Sequence, residues 1–240
     1  MKNLSDTERV IFDFDNTLFD TETKKQRLYN MAQAHGYDRE EARDIYKEAR
    51  TRNEKIIMSL SSYMKTLKDR VNEDGKEFRS EEVSEIITEI KSGDGLLPYA
   101  SEFLKHCLQE DLDTYILSLG QKDWQQEKVN QSGIEEFMPE EKIIFTNSTK
   151  KGKQNILEEV FTKDFEGENT LLINDKPDET KEILSDFPKL VSFLRYEPRD
   201  DRYKEKDFEQ LQQQYPDRVL FYSQDLKKIL DKFKKLYAKE

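Results

Sequence analysis

The sequence predicts an α/β fold, a central parallel sheet covered by helices on both faces, with a separate helical domain inserted near its start. Two observations predict it. Six short runs rich in β-branched and aromatic residues recur along the 240 residues, and helical periodicity fills the intervals between the later ones. One interval, residues 20 to 97, holds helical patterns but no strand.

The first run, "VIFDF" at 10 to 14, is apolar on both alternations, as expected of a strand buried on both faces. It continues as "RVIFDFDNTLFD", which sets Asp13 and Asp15 one residue apart among Val10, Ile11, Phe12 and Phe14. An ionised carboxylate in such surroundings is costly unless paired, hydrogen-bonded or bound to a metal, so something must compensate this charge. About four amphipathic helices follow. Leu28, Met31 and Ala32 mark the first, and Asp38 with Glu41 forms a capping pair that opens the second. Ile56, Ile57, Leu60, Tyr63, Met64 and Leu67 stripe the third, while Val83, Ile86, Ile87 and Ile90 stripe the fourth. Gly93 and Gly95 in "SGDGLLP" return the chain to the sheet, and paired glycines there suit a hinge.

Further strands are expected at "TYILSL" (114 to 119), "KIIF" (142 to 145), "TLLIN" (170 to 174), "LVSFL" (190 to 194) and "VLFY" (219 to 222). Ile156, Leu157, Val160 and Phe161 share one face of a helix between two of them. Residues 196 to 217, dense in charge and glutamine, read as surface between two strands. Leu226, Ile229, Leu230, Phe233 and Leu236 stripe a terminal helix docked on the domain. No internal repeat is seen.

Composition narrows the partners. A net charge of −11 argues against nucleic acid or an anionic membrane, both of which need a basic face, and leaves a small or metal-bound ligand. The single cysteine, Cys107, reads as a small buried residue. "MKNLSDTERV" has no apolar core of signal-peptide length and no run reaches about 20 apolar residues, so a soluble, cytoplasmic protein is expected. His35, His106 and Trp124 are assigned to packing, although Trp124 lies close enough in sequence to the second strand end to border a substrate.

Ligands of open α/β sheets bind beyond the carboxyl ends of the strands. Here those ends supply Asp13 and Asp15, then Ser118, then the lysines of "STKKGK" (Lys150, Lys151, Lys153), then Asp175 in "INDKPDE". In that order, "DFDNT", "ILSLG", "TKKGKQNIL" and "LLINDKPDE" resemble the four motifs of the haloacid dehalogenase-like hydrolase superfamily, and the likeness spans nearly the whole chain. The resemblance implies a three-layer, Rossmann-like core from residues 1–19 and 98–240 and an inserted helical cap over 20–97.

The resemblance also implies chemistry. Asp13 would be the nucleophile that forms an aspartyl-phosphate, and Asp15 the acid and base. Ser118 would hydrogen-bond the phosphoryl group and Lys151 would neutralise it. Thr17, Ser118, Leu119, Gly120 and Lys151 would line the phosphate position. Magnesium would be held by Asp13, the Asp15 carbonyl and Asp175. Members that displace halide lack the second aspartate, so Asp15 favours phosphate esters over halides. The expected function is therefore a magnesium-dependent phosphatase of a small phosphorylated metabolite, with a phosphomutase or a non-catalytic phosphate-binding relative as alternatives.

Two points depart from the usual pattern. Any of Lys150, Lys151 and Lys153 precedes the helix; Lys151 is preferred for its spacing to Ile156 and Leu157, with Lys153 in reserve. Asn174 stands where many relatives have glycine, leaving Asp178 or Glu179 as the second acid.

Overall fold

The computed structural model describes residues 4–51, 59–120, 122–146, 152–161 and 164–238. All six expected strands are present: β1 (Arg9–Phe12), β2 (Asp113–Leu119), β3 (Ile143–Thr146), β4 (Thr170–Asn174), β5 (Val191–Arg195) and β6 (Val219–Ser223). They form one parallel sheet in the order β3-β2-β1-β4-β5-β6. Sandwiching explains the lack of alternation: β4 and β5 are buried at every residue, whereas the edge strands β3 and β6 are mostly half-exposed. The chain divides into two compact units, residues 1–20, 96–119 and 134–240, and residues 21–95 with 120–133.

In the sheet unit, neighbouring β1 residues serve opposite faces. Ile11 joins Leu157, Ile183, Leu184 and Phe208, from the helices α7 (Gly152–Phe161), α8 (Pro177–Asp186) and α9 (Glu205–Gln214), and Phe187, the C-cap of α8. Phe12 meets Phe103 edge-on at 5.1 Å, and Phe103 lies 5.5 Å from Phe233, so α5 (Ala100–Gln109) and α10 (Leu226–Tyr237) cover the other side. The terminal helix thus docks as its stripe predicts, with Leu226, Ile229, Leu230 and Phe233 buried; Tyr237 is buried as well, and Leu236 is only half-buried. His106 packs edge-on to Phe233 and Tyr237. Cys107 is buried, which pushes its thiol up to about 12. It is a packing residue.

The helical unit contains α1 (Thr21–Ala34), α2 (Arg39–Thr51), α3 (Leu60–Glu73), α4 (Ser80–Lys91) and α6 (Lys122–Ser132). Ile56 and Ile57, expected on the third helix, lie outside the described residues. Leu28, Met31, Ala32, Ile45, Tyr63, Leu67, Val83 and Ile90 share one core, and the Tyr63 hydroxyl donates to the Leu28 carbonyl. His35 donates from Nδ1 to the Met31 carbonyl and accepts at Nε2 from the Arg79 N–H, so it ties α1 to the start of α4. Sequence alone placed α6 with the sheet. In the structure it clusters with the helices, for two local reasons. Lys24 lies over the Trp124 ring at 4.6 Å and reaches Gln131 Oε1 at 3.1 Å, while Gln131 donates to the carbonyls of Ile90, Ser92 and Gly93. Gly93 and Gly95 adopt φ of 73° and 67°, a left-handed conformation that favours glycine. Among the described residues no helix is long and apolar enough to cross a membrane.

The capping pair opening α2 is reciprocal: Asp38 Oδ1 accepts from the Glu41 N–H at 2.9 Å, and Glu41 Oε2 accepts from the Asp38 N–H at 2.7 Å. Asp38→Ala should destabilise the helical unit by about 1 kcal/mol in urea unfolding, while Asp38→Asn keeps most of that.

Candidate active site

Beyond Phe12 the chain keeps sheet register for one residue, because the Asp13 N–H donates to the Ile173 carbonyl at 2.8 Å. It then turns back on itself. The Phe14 carbonyl accepts from the N–H groups of Leu18 and Phe19, and the Asn16 N–H donates to the Phe19 carbonyl, with Asn16 at φ 58°. The Phe14 and Phe19 rings meet at 5.2 Å and anchor this loop from below. Asp13 is 1% exposed, and its Oδ2 accepts from the Thr17 hydroxyl at 3.4 Å. Asp15 is half-buried. Ser118, fully buried, is the next-to-last residue of β2, and Asn174 ends β4. Since β2, β1 and β4 are neighbours in register, parallel pairing alone brings Asp13, Ser118, Asn174 and Asp175 to one end of the sheet.

Among the described residues, the lysine that hydrogen-bonds to Asp13 is Lys153. Its ammonium, 1% exposed, lies 2.5 Å from Asp13 Oδ1 and 2.6 Å from Glu179 Oε2. Lys150 and Lys151 lie outside the described residues. Gly152 permits the approach of α7: a Cβ there would stand 2.8 Å from Leu119 Cδ2 and 3.2 Å from Thr146 Cγ2. Leu119, at the end of β2, therefore packs under the start of the helix that carries the lysine. Gly120 belongs to the helical unit.

The fourth motif works as a buried connector. Asn174 Nδ2 donates to Glu179 Oε2 and Thr180 Oγ1, both at 3.0 Å, and Oδ1 accepts from the Asp175 N–H. A glycine there could make none of these side-chain bonds. Burial acts to raise Glu179, but the charges of Lys153 and Lys176, with bonds from Lys153 and Asn174, pull it down to about 2. Glu179 is thus a lysine-holding carboxylate. Asp178 instead accepts from the Tyr203 hydroxyl at 2.6 Å. Asp175 does not cap α8, whose N-cap is Lys176 with no side-chain bond. Burial lifts the Asp175 carboxyl, opposed by Lys176 and reinforced by Asp13. Its Oδ1 has no hydrogen-bond partner.

These oxygens suit magnesium, which takes one or two carboxylates and keeps water and substrate oxygens in its octahedral shell. Asp13 and Asp175 supply the carboxylates, the Asp15 carbonyl is a third hard oxygen, and Asp175 Oδ1, without a hydrogen-bond donor, is a buried oxygen that a cation would satisfy. Among the described residues no three His, Cys, Asp or Glu side chains gather closely enough to hold a metal by themselves.

Several contributors escape a reading of the sequence. Lys176 is half-buried, 15% exposed, and its ammonium stands 3.9 Å from Asp13, Asp175 and Glu179 alike. Arg195 donates to the Asn16 carbonyl at 2.5 Å and to Glu197 at 3.0 Å, and Glu197 also receives Arg199, which reaches Asp20 at 2.8 Å. This chain of charges pins both ends of the "DNTLFD" loop. It also corrects the view of residues 196 to 217 as surface, because Glu197 and Asp200 are buried. The one available signal was an acidic–basic alternation, "RYEPRDDR", directly after a strand end.

A profile of the haloacid dehalogenase-like hydrolases matches residues 7–183, and the chain belongs to that family. No curated protein matches the sequence. Among solved structures, YfnB from Bacillus subtilis, bound to magnesium, is 15% identical and covers 94% of this chain and 98% of its own, with a TM-score of 0.57. A family hydrolase from Deinococcus radiodurans with bound phosphate and sodium is 12% identical, covers 97% of each chain and gives 0.62. A dehalogenase solved with an intermediate complex is 12% identical, covers 98% and 99%, and gives 0.60. At these identities the likeness establishes the fold.

Burial acts to raise the Glu197 carboxyl, yet its bonds to Arg199 and Arg195 bring it from 4.5 down to about 2. A depressed folded value means that the unfolded chain binds the proton first, so the stabilisation is complete above about pH 4.5 and is lost as pH falls towards 2. Glu197→Gln should cost about 2 to 3 kcal/mol at pH 7, and the gap to the unmodified protein should close in urea titrations below about pH 4.

Proposed function

We propose that the protein is a magnesium-dependent phosphatase of small phosphomonoesters that works through an aspartyl-phosphate on Asp13. The observation that carries this reading is the buried Asp13 carboxylate held through Oδ1 by Lys153, with Oδ2 bonded only weakly to Thr17. A carboxylate fixed on one oxygen by an ammonium presents the other for attack.

Asp13 attacks phosphorus, and the bond from phosphorus to the ester oxygen breaks. Asp15 protonates that leaving oxygen, which departs as an alcohol. The deprotonated Asp15 then takes a proton from water, whose oxygen attacks phosphorus; the bond to Asp13 breaks, giving phosphate and the free carboxylate. Lys153 neutralises charge at Asp13 through both steps, and Ser118 donates to a phosphoryl oxygen. Bound magnesium would supply further positive charge at the phosphoryl oxygens, held by Asp13, Asp175 and the Asp15 carbonyl. Halide leaves carbon as an anion and needs no proton, so the presence of Asp15 supports an ester substrate rather than a halide. The net charge of −11 supports a small cytoplasmic metabolite over nucleic acid or a membrane surface.

The test is phosphate release from sugar phosphates, nucleoside monophosphates and phosphoglycolate. Release should require magnesium, stop with a chelator and vanish in Asp13→Asn; an unchanged rate in that variant would sink the mechanism. Asp15→Asn should slow turnover about 10²- to 10⁴-fold. Lys153→Met should cost about 10²-fold or more. The same change at Lys151 should cost much less, and the reverse ranking would give the role back to Lys151.

A further inference from the structure

Lys176 has no part in the mechanism above, yet its side chain is only 15% exposed beside three acids of the site. It follows Asp175 directly and sits at the N-cap of α8 in extended backbone, φ −114° and ψ 108°, a conformation compatible with turning its side chain back towards the sheet end. Its ammonium is 3.9 Å from Asp13 Oδ1, from Asp175 Oδ1 and from Glu179 Oε2. These are ion-pair distances beyond hydrogen-bond reach. Lys153 differs: it bonds directly to Asp13 and Glu179.

A lysine kept for structure would spend its three donors on nearby acceptors. Lys176 instead centres its charge between acids without bonding to any one, and Asp175 Oδ1 correspondingly finds no donor. Both are half-finished, as expected if another group completes them. Two of its three acids, Asp13 and Asp175, are those the proposed function assigns to magnesium. A divalent ion held by both acids would share their oxygens with the ammonium. Two cations on one pair of buried acids repel.

Resting on that reading of the site, we propose that Lys176 is a tethered counter-cation of the Asp13 and Asp175 pair, displaced when a divalent ion binds, so that it sets the magnesium affinity. Without the ion it offsets the repulsion between two buried carboxylates. With the ion it swings clear. The price is weaker ion binding than the same acids would give alone.

The test is calorimetric titration of magnesium into the full chain without substrate. Lys176→Met should bind magnesium about tenfold more tightly than the unmodified protein, whereas Lys176→Arg should not. A second measurement needs no variant: amine acylation followed by peptide mass spectrometry should label Lys176 several-fold faster with magnesium than with chelator, relative to exposed lysines. Equal or weaker binding by Lys176→Met, or labelling indifferent to magnesium, overturns the inference alone. Magnesium binding by none of the proteins overturns the proposed function with it.

Discussion

The ion pair between Asp13 and Lys153 is the constraint on which the rest of the site depends. Both side chains are about 1% exposed, so each would be prohibitively costly without the other. Holding them at 2.5 Å fixes the end of β1 against the start of α7 across 140 residues of sequence. That placement needs a helix that can approach closely, which Gly152 allows, and a third partner to saturate the ammonium, which Glu179 provides. Asn174 then links Glu179 back to the strand that flanks β1. In this buried network Asp175 Oδ1 is left without a hydrogen-bond donor.

Most of the fold was legible because sandwiched parallel strands leave a strong mark: runs such as "TLLIN" and "LVSFL" have no polar face to confuse with a helix. The helices of the second unit were legible through periodicity and the Asp38–Glu41 box. The assignment of α6 was not, since its attachment runs through polar groups, Gln131 to three carbonyls and Lys24 over Trp124, which carry no periodic signal.

For the site, the strand pattern and the parallel order decide where the acids go, and Asp13 and Asp175 follow directly on β1 and β4. Sequence preferred Lys151 by spacing, with Lys153 in reserve, whereas the start of the helix is set by packing against Leu119 and Thr146. The Arg195, Glu197 and Arg199 chain was invisible for a similar reason: charged residues after a strand look solvated until tertiary structure encloses them. The departure at Asn174, which seemed to weaken the fourth motif, proves to be the amide that orients Glu179 towards Lys153.

The central claim is that Asp13, fixed by Lys153, carries the phosphoryl group between substrate and water. An aspartyl-phosphate is an acyl phosphate, and borohydride reduces it to homoserine. The most direct measurement is therefore to quench the enzyme during turnover of its best phosphate ester, reduce it and map the peptides by mass spectrometry. Homoserine at position 13, absent without substrate, is the predicted result. Phosphate release with aspartate 13 unmodified, or homoserine at another aspartate, would contradict the account.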